Sequence, residues 1–365
     1  MNTLTLEKHC WAEIDLTALR ENYEYIRRTV GGPVCAVVKA DAYGHGDNVI
    51  ARVLQEAGAA GFAVSSLGEG RHLRRGGITT PILILGYADP TYAAVLAAND
   101  LITTCYSTEY AQALSAAAVK AGVKVKVHLK IDTGMGRYGF LPAQVAEAIA
   151  CYDLPNLEFT GAYTHFSSAF HDKAKTIAQL EVFKDTLAQI EKAGKSVGTR
   201  HAANSPALLN VEHVALDAVR IGSAFTGRVI THSKTPLHRL GRLEAEVVDI
   251  KKVPAGYAVG YNGTFVTKRP TTIAIVPMGH YDGFGLTKEK EDHNFHSVLS
   301  ALKQFLKKAH LTVTINGKAY PVIGEVGLSH TAVDVTGSSV QPGDIATCDL
   351  SPLLVNPRVP RVYME

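Results

Sequence analysis

The feature that most constrains this chain is a regular alternation of short apolar runs with helical patterns, which continues to about residue 240. Strand-like runs fall at 34–40, 61–66, 81–87, 101–107, 124–132, 157–166, 199–204 and 218–227, eight in all. A short run rich in Val, Ile and Leu reads as a strand buried on both faces. Between these runs, 108–121 is alanine-rich with apolar residues at helical spacing. Across 173–193, Ile177, Leu180, Phe183, Leu187 and Ile190 recur every three or four residues. Gly122 and Gly194 stand where a helix end favours positive φ. Eight strand–helix alternations predict an α/β fold, a (β/α)8 TIM-type barrel over 12–240.

Past residue 240 the pattern changes to short strands at 243–253, 271–278, 312–315, 319–323 and 345–347. Asn316-Gly317 between two of them is a hairpin signal. A mainly β C-terminal domain over 241–365 is expected, with residues 1–11 as a candidate addition to it. A charged, helix-capable stretch interrupts this domain between Thr287 and His310, with apolar residues at helical spacing from Val298 to Leu306. A chain of 365 residues has room for both parts. Net charge is +3 with no long charged block, which argues against nucleic acid or an anionic membrane as partner. No apolar stretch approaches the ~18 residues needed to span a bilayer, and Met1 to Cys10 lacks the apolar core of a signal peptide. Five scattered cysteines with no C-x-x-C pair fit reduced thiols and a cytoplasmic protein. No H-E-x-x-H or comparable ligand cluster appears, so no metal is expected.

In a parallel barrel the carboxyl ends of the strands converge on one mouth, where reactive groups sit. Lys39 ends the first run, just before a glycine-containing turn with Tyr43. A partly desolvated lysine has a lowered pKa and can form a Schiff base with an aldehyde. The fifth run supplies Lys130 and Asp132, followed by Arg137; the sixth, His165; the seventh, His201, Asn204 and Ser205; the eighth, Arg220, Gly222 and Ser223. Singly each has a bland explanation: a solvated charge, a satisfied histidine, or an N-cap at Ser205 with Pro206 at the first helical position. Convergence from five strands is harder to explain that way. Ser205, Gly222 and Ser223 follow the last two strands, the usual phosphate position of such barrels. A reactive lysine and a phosphate cradle suggest pyridoxal 5′-phosphate (PLP). A sugar-phosphate aldolase would share those two features.

The segment AVVKADAYGHG resembles the PLP-lysine motif of the alanine racemases, the fold-type III PLP enzymes. So do LKIDTGMGRYGF, YTHFSSA, HAANSPALL, AVRIGSAFTG, VGYNGTF and RVPRVY, in the family's order from Trp11 to Arg361. The resemblance implies a PLP-dependent isomerase that interconverts L- and D-alanine, a precursor for peptidoglycan. Lys39 would be the Schiff-base lysine and one catalytic base. Tyr261 would be the second base, acting in trans in a homodimer. Tyr43, Ser205, Gly222 and Ser223 would hold the phosphate, with Asn204 beside them, and Arg220 would face the pyridine nitrogen with His201 behind it. Arg137 would reach the substrate carboxylate, and Lys130 matches a position often carbamylated in the family, where the new charge orients Arg137. His165 would hydrogen-bond the catalytic tyrosine. Lysine and tyrosine, with solution pKa values of ~10.4 and ~10, need nearby cations to work near neutrality.

The chain departs from the family pattern in its C-terminal part. Leu328 stands at the position of a pocket-walling methionine, next to Ser329 at an aspartate position. Pro357 stands where a gate tyrosine usually contacts phosphate, and the segment His280 to Leu286 lacks its arginine. Both bases remain, so these changes point to access and substrate choice: serine or a larger amino acid is an alternative to alanine. Other PLP chemistry on the scaffold is a further alternative, but the His-x-Gly-Ser motif of its decarboxylases is missing. A PLP-binding protein without activity is the last, but single-domain relatives of that kind lack the domain carrying Tyr261.

Overall fold

Each of the eight apolar runs expected before residue 240 forms a strand, and each strand is shorter than its run. A computed structural model describes residues 9–286 and 311–365, so the helix expected at 298–306 and the insertion at 287–310 lie outside the described residues. The chain divides into two compact units, Leu16–Leu240 and a second made of the N-terminal residues to Asp15 with Gly241–Glu365.

In the first unit the strands Val34–Val37, Gly61–Val64, Ile82–Ile84, Leu101–Cys105, Val125–Lys130, Leu157–Tyr163, Thr199–His201 and Val219–Ile221 form one parallel eight-stranded sheet. Val34–Val37 pairs with both Gly61–Val64 and Val219–Ile221, and a parallel bridge from His201 to Ala218 closes the ring. Val37, Ala63, Leu83, Ile102 and Tyr163 pack together in its interior. The helices stop and start where local chemistry dictates. Ser107 caps Thr108–Ala121 by accepting from the Tyr110 N–H, and Gly122 ends that helix at φ 66°. Asp172 caps Lys173–Lys192 in the same way. The polar tails of the eight runs fall just past the strand ends, so they become the loops of the mouth.

The second unit is a nine-stranded sheet. Its strand order is Asp249–Val253, Thr271–Val276, Thr331–Asp334, Lys318–Ile323, Thr312–Ile315, Ile345–Cys348, Gly241–Glu246, Cys10–Asp15 and Arg361–Met364. The run expected at 243–253 breaks into two strands, Gly241–Glu246 and Asp249–Val253. Asn316-Gly317 makes the expected hairpin, with φ of 50° and 76°. The expected barrel start at residue 12 is corrected by Cys10–Asp15. This strand pairs antiparallel with Gly241–Glu246 and parallel with Arg361–Met364, so the barrel unit begins at Leu16. A two-stranded ribbon, Ala258–Val259 with Phe265–Val266, carries the turn Tyr261–Gly263. Among the described residues no helix is long and apolar enough to cross a membrane.

Candidate active site

A cavity of about 570 Å3 opens at the carboxyl ends of the barrel strands. Its walls bring together Lys39, Tyr43, Lys130, Arg137, His165, Asn204, Ser205, Arg220, Gly222 and Ser223. Its described lining includes two lysines, two arginines and a histidine, and no aspartate or glutamate. Such a surface attracts an anion and resists a second cation. The other end of the barrel also opens, into a cavity of about 530 Å3 around Cys35, Lys126, His128 and Thr160; among the expected site residues, only His201 reaches it.

Lys39 follows its strand into an unusual turn. Ala40, Asp41, Ala42 and Tyr43 all take left-handed dihedrals, with φ between 50° and 57°. Left-handed helix costs roughly 1–2 kcal/mol per non-glycine residue, so neighbours must hold the turn. Glu69 Oε1 accepts the Ala40 N–H at 2.8 Å and Asp41 Oδ1 accepts the Asp47 N–H at 2.9 Å. Glu69 is itself placed by a capping box with Ser66 at the start of Leu67–Arg75. The turn delivers Lys39 half-buried, and burial and then Arg137 hold its amine below the usual lysine range, against the pull of Glu69.

Ser205, 2% exposed, accepts the N–H of Gly222 at 3.0 Å and of Ala224 at 3.2 Å on one oxygen. With both lone pairs occupied, its hydroxyl proton is left to donate. A Cβ on Gly222 would come within 2.2 Å of Tyr43 Oη, so glycine is what lets that phenol lie against this backbone. Burial pushes the Tyr43 hydroxyl up to about 12, which keeps it protonated and able to donate. The capping role considered for Ser205 belongs to Asn204, whose Oδ1 accepts the Ala207 N–H at 3.0 Å.

Arg220 is buried, and it donates to neutral groups: His201 Nδ1 at 2.6 Å, and the carbonyls of His201, Thr164 and Ala202 at 2.9, 2.7 and 3.2 Å. Its guanidinium also lies 4.9 Å from the Tyr163 ring centroid. Lys130 is 3% exposed and donates to the Ile131 carbonyl at 3.2 Å. Burial and then Arg220 hold its amine well below the usual range. Asp132 is turned away to organise the loop that carries Arg137, accepting the N–H groups of Gly134, Met135 and Arg137 at 2.9, 2.7 and 3.1 Å. Burial disfavours its charge, but these bonds outweigh that and hold its carboxyl below the usual range. Burial, then Arg220 and its cationic neighbours, press His165 down to about 2, so it stays a neutral imidazole.

Tyr261 and Leu328 belong to the second unit. They are 72% and 74% exposed, and line one groove of about 550 Å3 with Glu325, Ser329 and His330. Pro357 is exposed, and beside it the Asn356 side chain donates to the Tyr281 carbonyl at 2.9 Å.

Residues 14–229 match the family model described as "Alanine racemase, N-terminal domain", and 240–350 match "Alanine racemase, C-terminal domain". The alanine racemase of Desulfosudis oleivorans is 37% identical over 345 residues, which cover 90% of this chain and 83% of that protein. This chain belongs to the alanine racemase family. Among solved structures, alanine racemase from Clostridium difficile 630 superposes with a TM-score of 0.87 at 30% identity, covering 98% of this chain and 96% of that one. The alanine racemase from Bacillus anthracis, solved with bound L-Ala-P, gives 0.85 at 28%, covering 98% and 95%.

Alanine racemases are PLP-dependent isomerases, and the cavity fits that cofactor. Ser205 has one proton left to give, Gly222 admits Tyr43, and the walls are cationic. Residue-level reading missed Glu69, which holds the turn after Lys39, and His128, whose Nδ1 lies 2.9 Å from His201 Nε2. Glu69 was detectable as the last member of Ser66-x-x-Glu69. His128 was detectable in the alternation Lys126, His128, Lys130, a polar phase that turns into the barrel.

Proposed function

We propose that this chain racemises alanine with two bases, Lys39 and the partner subunit's Tyr261, in a site completed by a homodimer. The observation that carries this reading is a lysine-bearing cavity whose described lining holds only cationic and neutral groups. When bound, PLP supplies an aldehyde for an amine and a ring that withdraws electrons from Cα. The phosphate would sit at Tyr43, Ser205, Gly222 and Ser223, and the carboxylate of the substrate at Arg137. Racemisation removes a proton from Cα on one face and returns one on the other, so it needs two bases on opposite sides. The Lys39 amine, held below its ordinary range, suits one of them. Arg220 donates hydrogen bonds but does not release its proton. Facing the pyridine nitrogen, it would limit electron withdrawal and favour return of the proton to Cα over transamination. His201 would support it from behind.

Tyr261 and Leu328, both exposed and on one groove, support the dimer: a large apolar pair open to solvent is what a subunit interface covers. His165, neutral at the mouth, would accept or donate toward the tyrosine. Lys130 suits carbamylation, since a neutral amine is the form that adds carbon dioxide, and the resulting negative charge would orient Arg137. The family likeness supports a role in supplying D-alanine to peptidoglycan, and with the five free cysteines it supports a cytoplasmic place.

The test is loss of optical rotation from L-alanine, with PLP present and absorbance followed at ~420 nm. Racemisation and the cofactor band should both vanish in Lys39→Ala; a band without racemisation of any amino acid would sink the reading. Leu328, Ser329, Pro357 and the missing arginine support a wider gate. Serine should then be turned over with kcat/KM within roughly 100-fold of alanine, the limit of discrimination by a small apolar wall, and Pro357→Tyr should widen that gap.

A further inference from the structure

Beneath the cationic cavity, three side chains in the barrel lumen form hydrogen bonds with one consistent polarity. Arg220 Nη1 lies 2.6 Å from His201 Nδ1, and His201 Nε2 lies 2.9 Å from His128 Nδ1. A guanidinium donates and never accepts. His201 Nδ1 therefore carries no proton. Burial and then Arg220 hold His201 neutral, so its single proton is on Nε2. That N–H donates to His128, whose Nδ1 accepts.

The surroundings hold this arrangement in place. Tyr163 stacks on His201, with centroids 5.1 Å apart and planes 5° apart. Thr104 Oγ1 gives its proton to the Ile84 carbonyl at 2.7 Å, so the Tyr163 hydroxyl is the donor in its 2.9 Å bond to Thr104. The sheet makes room for His128 at Gly161, where a Cβ would come within 2.6 Å of His128 Nε2 and 2.8 Å of the Thr199 carbonyl.

We propose that His128 is a positioning residue: by accepting the Nε2 proton of His201 it fixes the tautomer that receives Arg220, and so the placement of the guanidinium at the cofactor cavity. His128 does not line that cavity; its imidazole borders the one at the opposite end of the barrel. Without an acceptor at 128, His201 has two options. It keeps a buried N–H without a partner, or it moves the proton to Nδ1 and turns a donor toward Arg220. Either loosens the guanidinium.

The test compares His128→Leu, which removes the acceptor, with His128→Asn, whose amide oxygen stands near the place of Nδ1. Full-length protein with its cofactor is labelled with 15N-histidine, and a His201→Gln protein assigns the His201 signals. The expected signals show a bare Nδ1 and a protonated Nε2 on His201, disturbed in the Leu variant and retained in the Asn variant. For alanine, kcat should fall on the order of tenfold in the Leu variant with KM little changed, and the Asn variant should recover most of it. A protonated Nδ1 on His201, a Leu variant with unchanged kcat, or an Asn variant as slow as the Leu variant would overturn the proposal. The kinetic arm rests on the racemase reading. If no amino acid is racemised, that reading fails, while the His201 signals still decide the tautomer and the part His128 plays in it.

Discussion

At Ser205, which lines the cavity, a single oxygen accepts two backbone N–H bonds and keeps its hydroxyl proton to donate. Ser205→Ala leaves both N–H groups without that acceptor and removes a donor to phosphate. Each unsatisfied buried group costs about 1–3 kcal/mol. The PLP dissociation constant, followed by absorbance titration, should rise at least tenfold, with a smaller change in kcat once cofactor saturates. An unchanged constant would place the phosphate elsewhere. The buried histidines make a second demand at this scale. Burial and then Arg220 lower His128 to about 4 from its ordinary value near 6.5. Between those values the unfolded chain binds a proton that the folded chain refuses. The neutral histidine's contribution is whole above pH ~6.5 and is lost as pH falls toward 4, at about 1.4 kcal/mol per pH unit. Urea unfolding at pH 6.5 and pH 5 should show that loss, and His128→Asn should lessen the slope. Equal slopes would mean that His128 protonates normally in the fold.

Among the elements, the turn Ala40–Tyr43 shows where sequence reading ends. The eight barrel strands were legible because continuous apolar runs have few other uses, and Lys39, Lys130, His165, Ser205 and Arg220 were legible as polar residues at the ends of those runs. Nothing in Ala-Asp-Ala-Tyr announces four left-handed residues, since Gly44 and Gly46 lie beyond them. The conformation is imposed from outside, by Glu69 and by the Asp41 bond to Asp47. Cys10–Asp15 was legible only as far as residue 11, as a candidate addition to the β domain, for a related reason: its partner strands, Gly241–Glu246 and Arg361–Met364, lie hundreds of residues away. Two outcomes follow for the turn. Ala40 is exposed, so Ala40→Gly relieves left-handed strain without losing packing and should stabilise the protein by about 0.5–1 kcal/mol in urea unfolding. Glu69→Ala should act oppositely. It removes the acceptor for the N–H groups of Ala40 and Ser65, bonded at 2.8 and 2.6 Å, and should raise KM or slow turnover by shifting Lys39. A Glu69→Ala enzyme with normal kinetics would show that the turn holds itself.

For the whole molecule, the two expected bases stand on different units: Lys39 on the barrel at Leu16–Leu240, and Tyr261 on the β unit. The family models match residues of both units. The exposed pair Tyr261 and Leu328 gives the β unit a surface to offer a second copy. Sedimentation should therefore show a dimer, and Leu328→Asp should weaken it by about 1–3 kcal/mol, since it puts a charge at an apolar contact. The most direct measurement is complementation. Lys39→Ala and Tyr261→Phe chains, each inactive alone, are co-expressed with different tags so that mixed dimers can be isolated. If the partner subunit's Tyr261 completes the site, one of the two sites in each mixed dimer is intact, and isolated mixed dimers should show about half the wild-type kcat per dimer. Mixed dimers as inactive as their parents would contradict a two-base site shared between subunits.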